Sequence, residues 1–325
     1  MTEDETTSFI DSQRDWLNAH KAATGLSWEK LAPQLGIPDG TLSPFGGGKY
    51  PGVKGNLKIA ETIQRYRQLL DTQESVEAQF PTKPGYFQMP TSDRLMRLFS
   101  LAQKGKINLA IVGAGISKTA SAEAYRDSVT NCFIATLSPS SGGLMTMISQ
   151  VLAAMGMPDQ KGSPQSMSRL VKDKLAKIHA PLLIIDEVQE ATAVAINEMR
   201  HWHDMTGTGL MLLGNEKALT RVSGGARAAD FAPINSRILI TDIIAKALPE
   251  DVQAHARAWG FTDPAEIAFL VQCGLQPGAL RENNHTIELA WLQAYAQNKT
   301  RPDIANLRQA KAQREAFTRS LGIRA

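Results

Sequence analysis

Five short apolar runs recur through the middle of the chain and constrain its fold more than any other feature. They read INLAIV, CFIATL, PLLIIDE, GLMLLG and SRILI, and predicted helices lie between them. Strands that are apolar throughout need cover on both faces, and strands that alternate with helices are typical of a parallel sheet. The sequence therefore predicts an α/β domain with a parallel five-stranded sheet over residues 101–245.

Helical patterns flank this region on both sides. In residues 1–78, Ser27 is a suitable N-cap, Gly36 a suitable helix stop, and a second short helix is expected from about Asp39, as in a helix-turn-helix. Residues 79–100 contain three prolines, which break helix and sheet, and are predicted to be a linker. Residues 246–325 are predicted to form an all-α lid with a basic tail.

The composition narrows the class of protein. With 325 residues, 43% of them hydrophobic, the chain is long enough for two or three domains. Cys132 and Cys273 stand far apart and lack the spacing of a zinc site, so neither a disulfide scaffold nor a cysteine-based metal site is expected. The same cysteine usage indicates a reducing cytoplasm. We expect no membrane span and no signal peptide. The net charge of +3 does not by itself establish a nucleic-acid partner.

The segment GAGISKT follows the first apolar run and precedes a predicted helix. Lys118 and Thr119 occupy the last two positions of the phosphate-loop pattern G-x-x-x-x-G-K-[ST], where the lysine reaches phosphates and the hydroxyl can ligate Mg²⁺. Val112 and Ser117 replace its two glycines, so the segment alone fits an ordinary strand-to-helix turn equally well. The predicted loop comprises Gly113, Ala114, Gly115, Ile116, Ser117, Lys118, Thr119 and Ala120.

The third apolar run ends in two acidic residues. Asp186 at the strand tip can hold the Mg²⁺ shell, and Glu187 can polarise a water against the γ-phosphate. Asn215 ends the fourth run, the strand expected between the two motif strands, and can orient that water or simply form a Gly-Asn turn. Polar residues commonly end strands, but together with the loop they favour a P-loop ATPase that uses ATP and Mg²⁺.

The motifs GAGISKT, LLIIDE, LLGN, SRI and PGALR, in this order behind a helix-turn-helix, resemble the AAA+ ATPases of DNA transposition, and among them the phage Mu transposition protein B family. The resemblance covers nearly the whole chain and is specific as a set. It implies ATP-dependent, largely non-sequence-specific binding to double-stranded DNA, self-association into helical filaments, delivery of target DNA to a transposase, and ATPase activity stimulated by that transposase. It also implies a bacterial host cell, with the protein in the cytoplasm or at the nucleoid.

The resemblance implies catalytic roles for individual residues. Lys118 with Thr119 matches the Walker A pair, Asp186 with Glu187 matches the Walker B pair, and Asn215 matches sensor 1. Each of these positions coincides with the role that the residue chemistry suggests, so the two lines of argument agree on one ATP site.

Two arginines are added to the site by the resemblance. Arg281 in PGALR resembles the sensor 2 arginine of the lid. Arg237 precedes the last strand, where clamp-loader relatives place the arginine finger that reaches the ATP of the next subunit. Arg221 and Arg227 are alternatives for that finger.

A second function remains open because the loop departs from its pattern. A Cβ at Ser117 can crowd the β-phosphate, which favours a helix-turn-helix regulator with a degenerate P-loop that senses ATP without appreciable hydrolysis. Glu187 and Arg237 favour the ATPase, since a pure sensor needs neither a water-activating base nor a finger. A P-loop kinase of small molecules is disfavoured by the N-terminal region and the lid.

Two sets of residues are predicted to contact DNA. In the N-terminal region, Pro44 should truncate the second short helix, so we expect a weak, sequence-tolerant contact or a domain that mainly binds proteins. The basic stretch before the third apolar run is either a solvated helix face or a contact to the phosphate backbone. The predicted contacts are Thr41, Ser43, Lys49, Tyr50, Lys161, Arg169 and Lys172.

Overall fold

The computed structural model describes residues 2–79, 81–218 and 228–320 of the chain. The chain divides into two compact units, Met1–Pro81 and Thr82–Ala325. The predicted α/β region and the helical region that follows it both belong to the second unit.

The described residues of the first unit form four helices around one apolar core. They are α1 (Glu3–Thr24), α2 (Trp28–Leu35), α3 (Asp39–Gly46) and α4 (Val53–Gln79). Both boundaries expected for α2 are confirmed. The Ser27 hydroxyl accepts a hydrogen bond from the Lys30 N–H, and Gly36 ends the helix with a left-handed φ of 66°.

Helix α3 is short, as its proline predicts. It has eight residues, and it ends at Gly46, two positions after Pro44. Leu42 and Phe45 of this helix are fully buried in the core of the first unit. The helix therefore contributes to the stability of this unit, and its assignment to a DNA-binding motif stays a prediction.

The described part of the second unit alternates strands and helices and ends in helices. Its strands are β1 (Ile107–Val112), β2 (Cys132–Thr136), β3 (Leu182–Asp186), β4 (Gly209–Gly214) and β5 (Ile238–Ile244). A single 3₁₀ turn, Val188–Glu190, follows β3. The helices are α5 (Pro90–Gln103), α6 (Lys118–Ser128), α7 (Leu144–Ala154), α8 (Pro164–Leu175), α9 (Ala193–Thr206), α10 (Ala228–Asn235), α11 (Pro249–Ala258), α12 (Pro264–Gly274), α13 (Ala279–Ala296) and α14 (Ile304–Ser320).

The strands in the described part of the chain form one parallel sheet in the order β2-β3-β4-β1-β5. All the predicted strands are confirmed, and β4 lies between the two motif strands as expected. Ile111 of β1 is opposite Gly214 of β4 and Ile243 of β5. Because parallel strands end at the same edge of a sheet, the residues that follow these strands come together there.

Residues of β1 alternate between two apolar clusters, one on each face of the sheet. Ile107, Leu109 and Ile111 belong to the cluster formed with α7, α8 and α9, whereas Ala110 and Val112 belong to the cluster formed with α5, α6 and α11. Both faces are therefore covered, which explains why every residue of β1 is buried.

The segment predicted as a linker contains a helix. Helix α5 begins at Pro90, whose missing N–H is not needed in a first turn and whose fixed φ suits a helix there. Leu95, Leu98 and Phe99 of α5 are buried in the cluster on one face of the sheet. The expectation that proline breaks helical structure was wrong for Pro90, because this residue starts a helix.

The predicted all-α region comprises α11 to α14, which share an apolar core around Trp259, Leu270, Ile287 and Leu307. Several cations of its basic tail are paired with acidic side chains of the same region. These ion pairs are Lys299 with Asp303, Arg301 with Glu266, and Arg314 with Glu282. The tail is therefore less free to bind an external anion than its sequence alone indicates.

Both cysteines are buried and free. Burial raises the pKa of the Cys132 thiol to about 12 and outweighs the lowering effect of the Arg126 charge. Among the described residues, no helix has both the length and the apolar character that crossing a membrane requires.

Candidate nucleotide-binding site

The loop between β1 and α6 requires glycine at two positions. The Gly113 N–H donates to the carbonyl of Ile244 at 2.9 Å, and a Cβ on Gly113 would lie 2.4 Å from the carbonyl oxygen of Ala245. Gly115 has a φ of 79°, and a Cβ there would lie 2.1 Å from the carbonyl oxygen of Gly278. A larger residue at either position would displace the loop from the end of β5 or from the turn before α13.

The two departures from the loop pattern have different structural consequences. Val112 is the buried last residue of β1, so the loop begins after it. Ser117, at the start of α6, has a φ of 51° and a ψ of 28°, the left-handed conformation that glycine favours. This conformation costs a residue with a Cβ roughly 1–2 kcal/mol. The turn therefore forms with both substitutions, at the expense of backbone strain at Ser117.

Four predicted site residues meet at the carboxyl edge of the sheet. The Nζ atom of Lys118 lies 2.9 Å from Oδ1 of Asp186 and 2.8 Å from Oε1 of Glu187. The Thr119 hydroxyl donates to Oδ2 of Asp186 at 2.6 Å. The side chains of Lys118 and Asp186 are only 10% and 1% exposed, so solvent ions screen their attraction weakly. The structure thus brings together the residues predicted as the Walker A and Walker B pairs.

Glu187 is the most exposed acid of this cluster, with 37% of its side chain accessible. Burial acts to raise its pKa, but hydrogen bonds from Lys118 and Gln189 and the charges of Lys118 and Arg281 outweigh that effect and hold the pKa below its ordinary value. Glu187 is therefore a carboxylate at neutral pH, and both of its oxygens accept hydrogen bonds.

Gln189 is a site residue that the sequence analysis did not predict. Its side-chain amide donates to Oε2 of Glu187, and its Oε1 accepts from the Asn215 N–H at 3.3 Å. A polar residue two positions after the acidic pair was the available signal in DEVQE. The sequence does not show that the 3₁₀ turn folds this side chain back onto the strand tips.

A cleft of about 520 Å³ lies beside the loop. Its walls are the loop (Gly113, Ala114, Ile116), the tip of β4 (215–217), the end of β5 (245–247) and the turn before α13 (275–279). The residues of the cluster around Lys118 are not among those that line this cleft. Their charged groups are bonded to one another. Asn215 lines the cleft, while its side-chain oxygen accepts from the Lys217 N–H at 2.9 Å and so stabilises the turn after β4.

The lid contacts the loop through the start of α13. The Leu280 N–H donates to the carbonyl of Gly115 at 3.1 Å. The next residue, Arg281, is exposed, and its charge contributes to the lowered pKa of Glu187. The predicted sensor 2 arginine is therefore placed on the lid within electrostatic reach of the predicted catalytic base.

Arg237 is near the surface, apart from this cluster. Its Nε donates to Oδ1 of Asp204 on α9 at 2.7 Å, and its NH1 donates to the carbonyl of Pro233 at 2.7 Å. The arginine is held within its own chain in this structure. Its rivals Arg221 and Arg227 lie outside the described residues.

The side-chain oxygen atoms of Thr119 and Asp186 are metal ligands of the kind that Mg²⁺ prefers. Mg²⁺ commonly binds one or two carboxylates together with substrate phosphates and waters, so two protein oxygens converging within 2.6 Å suit it. The part of the chain that the structure describes contains no cluster of three or more His, Cys, Asp or Glu side chains suited to another metal.

The chain is similar to known transposition proteins over most of its length. Residues 103–222 match an AAA domain, and residues 236–313 match the C-terminal part of the Mu B transposition protein. The chain is 31% identical over 289 residues to the ATP-dependent target DNA activator B of Escherichia phage D108, covering 87% of this chain and 89% of the relative. It is 30% identical, with the same coverage, to the protein of that name from Escherichia phage Mu. The chain belongs to the Mu B family of transposition proteins.

Solved structures support the fold of this Mu B family member. The ORC2 protein of Aeropyrum pernix, in its ADPNP–ADP complexes, superposes with a TM-score of 0.58 at 15% identity, over 71% of this chain and 69% of that chain. At this identity the likeness shows the fold alone. Together with the AAA domain match it confirms the predicted AAA+ architecture.

The residues predicted to contact DNA in this Mu B family member are divided between the two units. In the second unit, Lys161 and Arg169 are exposed, whereas Lys172 is half-buried with its Nζ 3.4 Å from Nε2 of His201. In the first unit, Ser43 and Lys49 are exposed, and Thr41 and Tyr50 are half-buried.

Proposed function

We propose that this Mu B family member is an ATP-dependent DNA-binding protein that assembles into helical filaments on target DNA and delivers that DNA to a transposase. The observation that carries the proposal is the bonded cluster of Lys118, Thr119, Asp186 and Glu187 on an AAA domain. The names of the two phage relatives, which describe ATP-dependent activators of target DNA, support the DNA role.

ATP would place its base and ribose in the cleft and its phosphates on the loop at the start of α6. The free N–H groups of that helix and the ammonium of Lys118 would then bind the phosphates. Lys118 must leave its two carboxylate partners to do so, because its Nζ is bonded to both. Thr119 and Asp186 would hold Mg²⁺, which neutralises phosphate charge.

Hydrolysis needs a base next to the attacking water. When Lys118 turns to the phosphates, Oε1 of Glu187 is released and can accept the proton of that water. Asn215 at the tip of β4 would orient the water. Arg281 of the lid and Arg237 of a neighbouring subunit would stabilise the charge that develops on the phosphates.

DNA would bind through its phosphate backbone. Lys161 and Arg169 are exposed cations next to and on α8, and such contacts displace counterions without reading bases. Subunits joined head to tail at the ATP sites need not close into a ring, and an open chain of such contacts is a helix. A transposase that stimulates hydrolysis would then release or redirect the bound DNA.

One observation supports a different function. Both oxygens of Glu187 are hydrogen-bonded, one to Lys118 and one to Gln189, and Ser117 is strained. A protein that kept these contacts with ATP bound would sense the nucleotide with little hydrolysis. The second candidate is therefore a helix-turn-helix regulator with a degenerate P-loop.

Two substitutions decide between these functions. Lys118→Ala should weaken ATP binding by roughly a hundredfold, because charge-assisted contacts worth about 3 kcal/mol are lost. Glu187→Gln should keep ATP binding but lower hydrolysis by about a hundredfold or more, since an amide cannot take the proton.

Calorimetry with ATP and phosphate release with long random DNA would measure both effects, with the exposed Lys104→Ala as a control. Unchanged ATP affinity in Lys118→Ala would refute the site. Absence of hydrolysis in the parent, with ATP binding retained, would favour the regulator.

A further inference from the structure

We propose that Gln189 is a positioning residue that aligns the carboxylate of Glu187 with the tip of β4. The inference rests on the proposed ATPase function and assigns that site an additional residue. It concerns a side chain that binds neither nucleotide nor metal directly and acts through Glu187.

The contacts of Gln189 connect the ends of two neighbouring strands. The residue lies in the 3₁₀ turn after β3, and its Nε2 donates to Oε2 of Glu187. Its Oε1 accepts from the backbone N–H of Asn215, the first residue after β4, at 3.3 Å. The nitrogen and the oxygen of this side-chain amide are therefore both hydrogen-bonded. Their partners are Glu187, the predicted base, and Asn215, the residue predicted to orient the water.

Burial makes this connection rigid. Gln189 is 7% exposed, and an amide buried this deeply loses stability if either end is left without a partner. Glu187, by contrast, is partly exposed and has a φ of 55°, so its position depends on the side chains that hold it. The buried amide of Gln189 thus provides a fixed contact for the partly exposed carboxylate of Glu187.

The role of Gln189 increases when nucleotide binds. Lys118 holds Oε1 of Glu187 in this structure and is the group that must move to the phosphates. Gln189 bonds the other oxygen and has no reason to move, because its second bond is to the backbone of Asn215. The carboxylate then keeps one oxygen fixed and presents the released oxygen to the water that Asn215 orients.

The experiment compares two substitutions that keep the size of the side chain. Gln189→Met removes both hydrogen bonds, and Gln189→Glu keeps an acceptor for the Asn215 N–H but places a carboxylate against Glu187. We expect both variants to lower kcat by about tenfold, a fraction of what a general base contributes, with the ATP dissociation constant changed by less than about twofold. Gln150→Met on the exposed face of α7 is the matched control and should behave as the parent.

A double-mutant cycle separates positioning from a general structural role. If Gln189 acts through Glu187, Gln189→Met should cause no further loss of single-turnover rate in the Glu187→Gln background. Parallel losses of ATP affinity, thermal midpoint and kcat, or an additive loss in the double variant, would overturn the inference. If the parent hydrolyses ATP and both variants keep its kcat, the inference about Gln189 is overturned and the proposed function stands. A parent that does not hydrolyse ATP would overturn both.

Discussion

Ser117 occupies the place where phosphate-binding loops have glycine, in the left-handed region and without a capping hydrogen bond from its side chain. That conformation costs about 1–2 kcal/mol for a residue with a Cβ, whereas glycine loses about 0.5–1 kcal/mol of backbone entropy on folding. Ser117→Gly should therefore raise the free energy of unfolding by up to about 1.5 kcal/mol and leave ATP turnover equal or higher. Denaturant unfolding and phosphate release measure both; a fall in either would show that the loop depends on the serine.

At the residue scale, the sequence predicts which groups reach the site but not how they contact one another. Lys118 and Asp186 are predictable because Lys118 lies in the loop region after β1, Asp186 ends β3, and parallel strands end at one edge of a sheet. The bond between Gln189 and Glu187 is not, because it depends on the path of a single 3₁₀ turn. The left-handed backbone of Ser117 is suggested only by the glycine that the motif expects there.

At the element scale, one carboxylate ties the lid to the helix that precedes the sheet. Asp251 of α11 is fully buried and accepts hydrogen bonds from the Thr91 N–H at 2.9 Å, the Thr91 hydroxyl at 2.6 Å and the Leu248 N–H at 3.0 Å. Asp251→Ala should lower the free energy of unfolding by about 3 kcal/mol, because it leaves these buried donors without a partner. Urea unfolding measures the loss. The exposed Glu250→Ala, in the same helical turn, should cost less than about 1 kcal/mol; equal effects would contradict the argument.

An ion pair fixes α14 to the first turn of α13, next to Arg281. Arg314 donates to both oxygens of Glu282, at 3.0 and 2.7 Å. Burial alone would raise the pKa of Glu282, but the hydrogen bonds and charges of Arg314 and Lys311 outweigh it and lower that pKa. The resulting stability is complete above the ordinary pKa of a carboxyl group and is lost as pH falls through the lowered value.

Arg314→Gln should therefore lower the thermal midpoint at neutral pH, and its deficit relative to the parent should shrink as pH falls below the ordinary pKa range of a carboxyl group. Thermal unfolding at a series of pH values tests this. Arg308→Gln, an exposed change on the same helix, should show little pH dependence. A deficit for Arg314→Gln that is constant with pH would mean that the arginine stabilises the lid by packing alone.

The positions of helices and strands were predictable where a single physical requirement determined them. The strands are apolar because both faces of the sheet are covered, so their positions follow from the sequence. Helix α5 was not predicted, because proline both breaks helices and starts them, and only packing against the sheet shows which applies at Pro90. The pairing of the basic tail is likewise a tertiary property, since Arg301 and Glu266 are 35 residues apart.

At the scale of the whole molecule, the alternation of strands and helices predicts a parallel sheet, and the motifs predict that β4 lies between β1 and β3. The positions of β2 and β5 at the two edges follow from the structure alone.

Assembly involves more than one chain, and a substitution at Arg237 can test it. That arginine is bonded to Asp204 of its own chain, so reaching a neighbouring ATP requires the pair to open.

ATP should promote filaments on DNA of any sequence if each site is shared between subunits. Binding through about six phosphates should weaken by roughly a thousandfold between about 50 and 200 mM salt.

Arg237→Ala should reduce filaments and hydrolysis but keep folding and ATP binding, because the lost contact is to the nucleotide of the neighbour. Electron microscopy, sedimentation and phosphate release measure these effects, with the exposed Arg257→Ala as control. Monomers or small closed rings in the parent with ATP and long random DNA would refute filament assembly, and normal filaments in Arg237→Ala would assign the finger to another arginine.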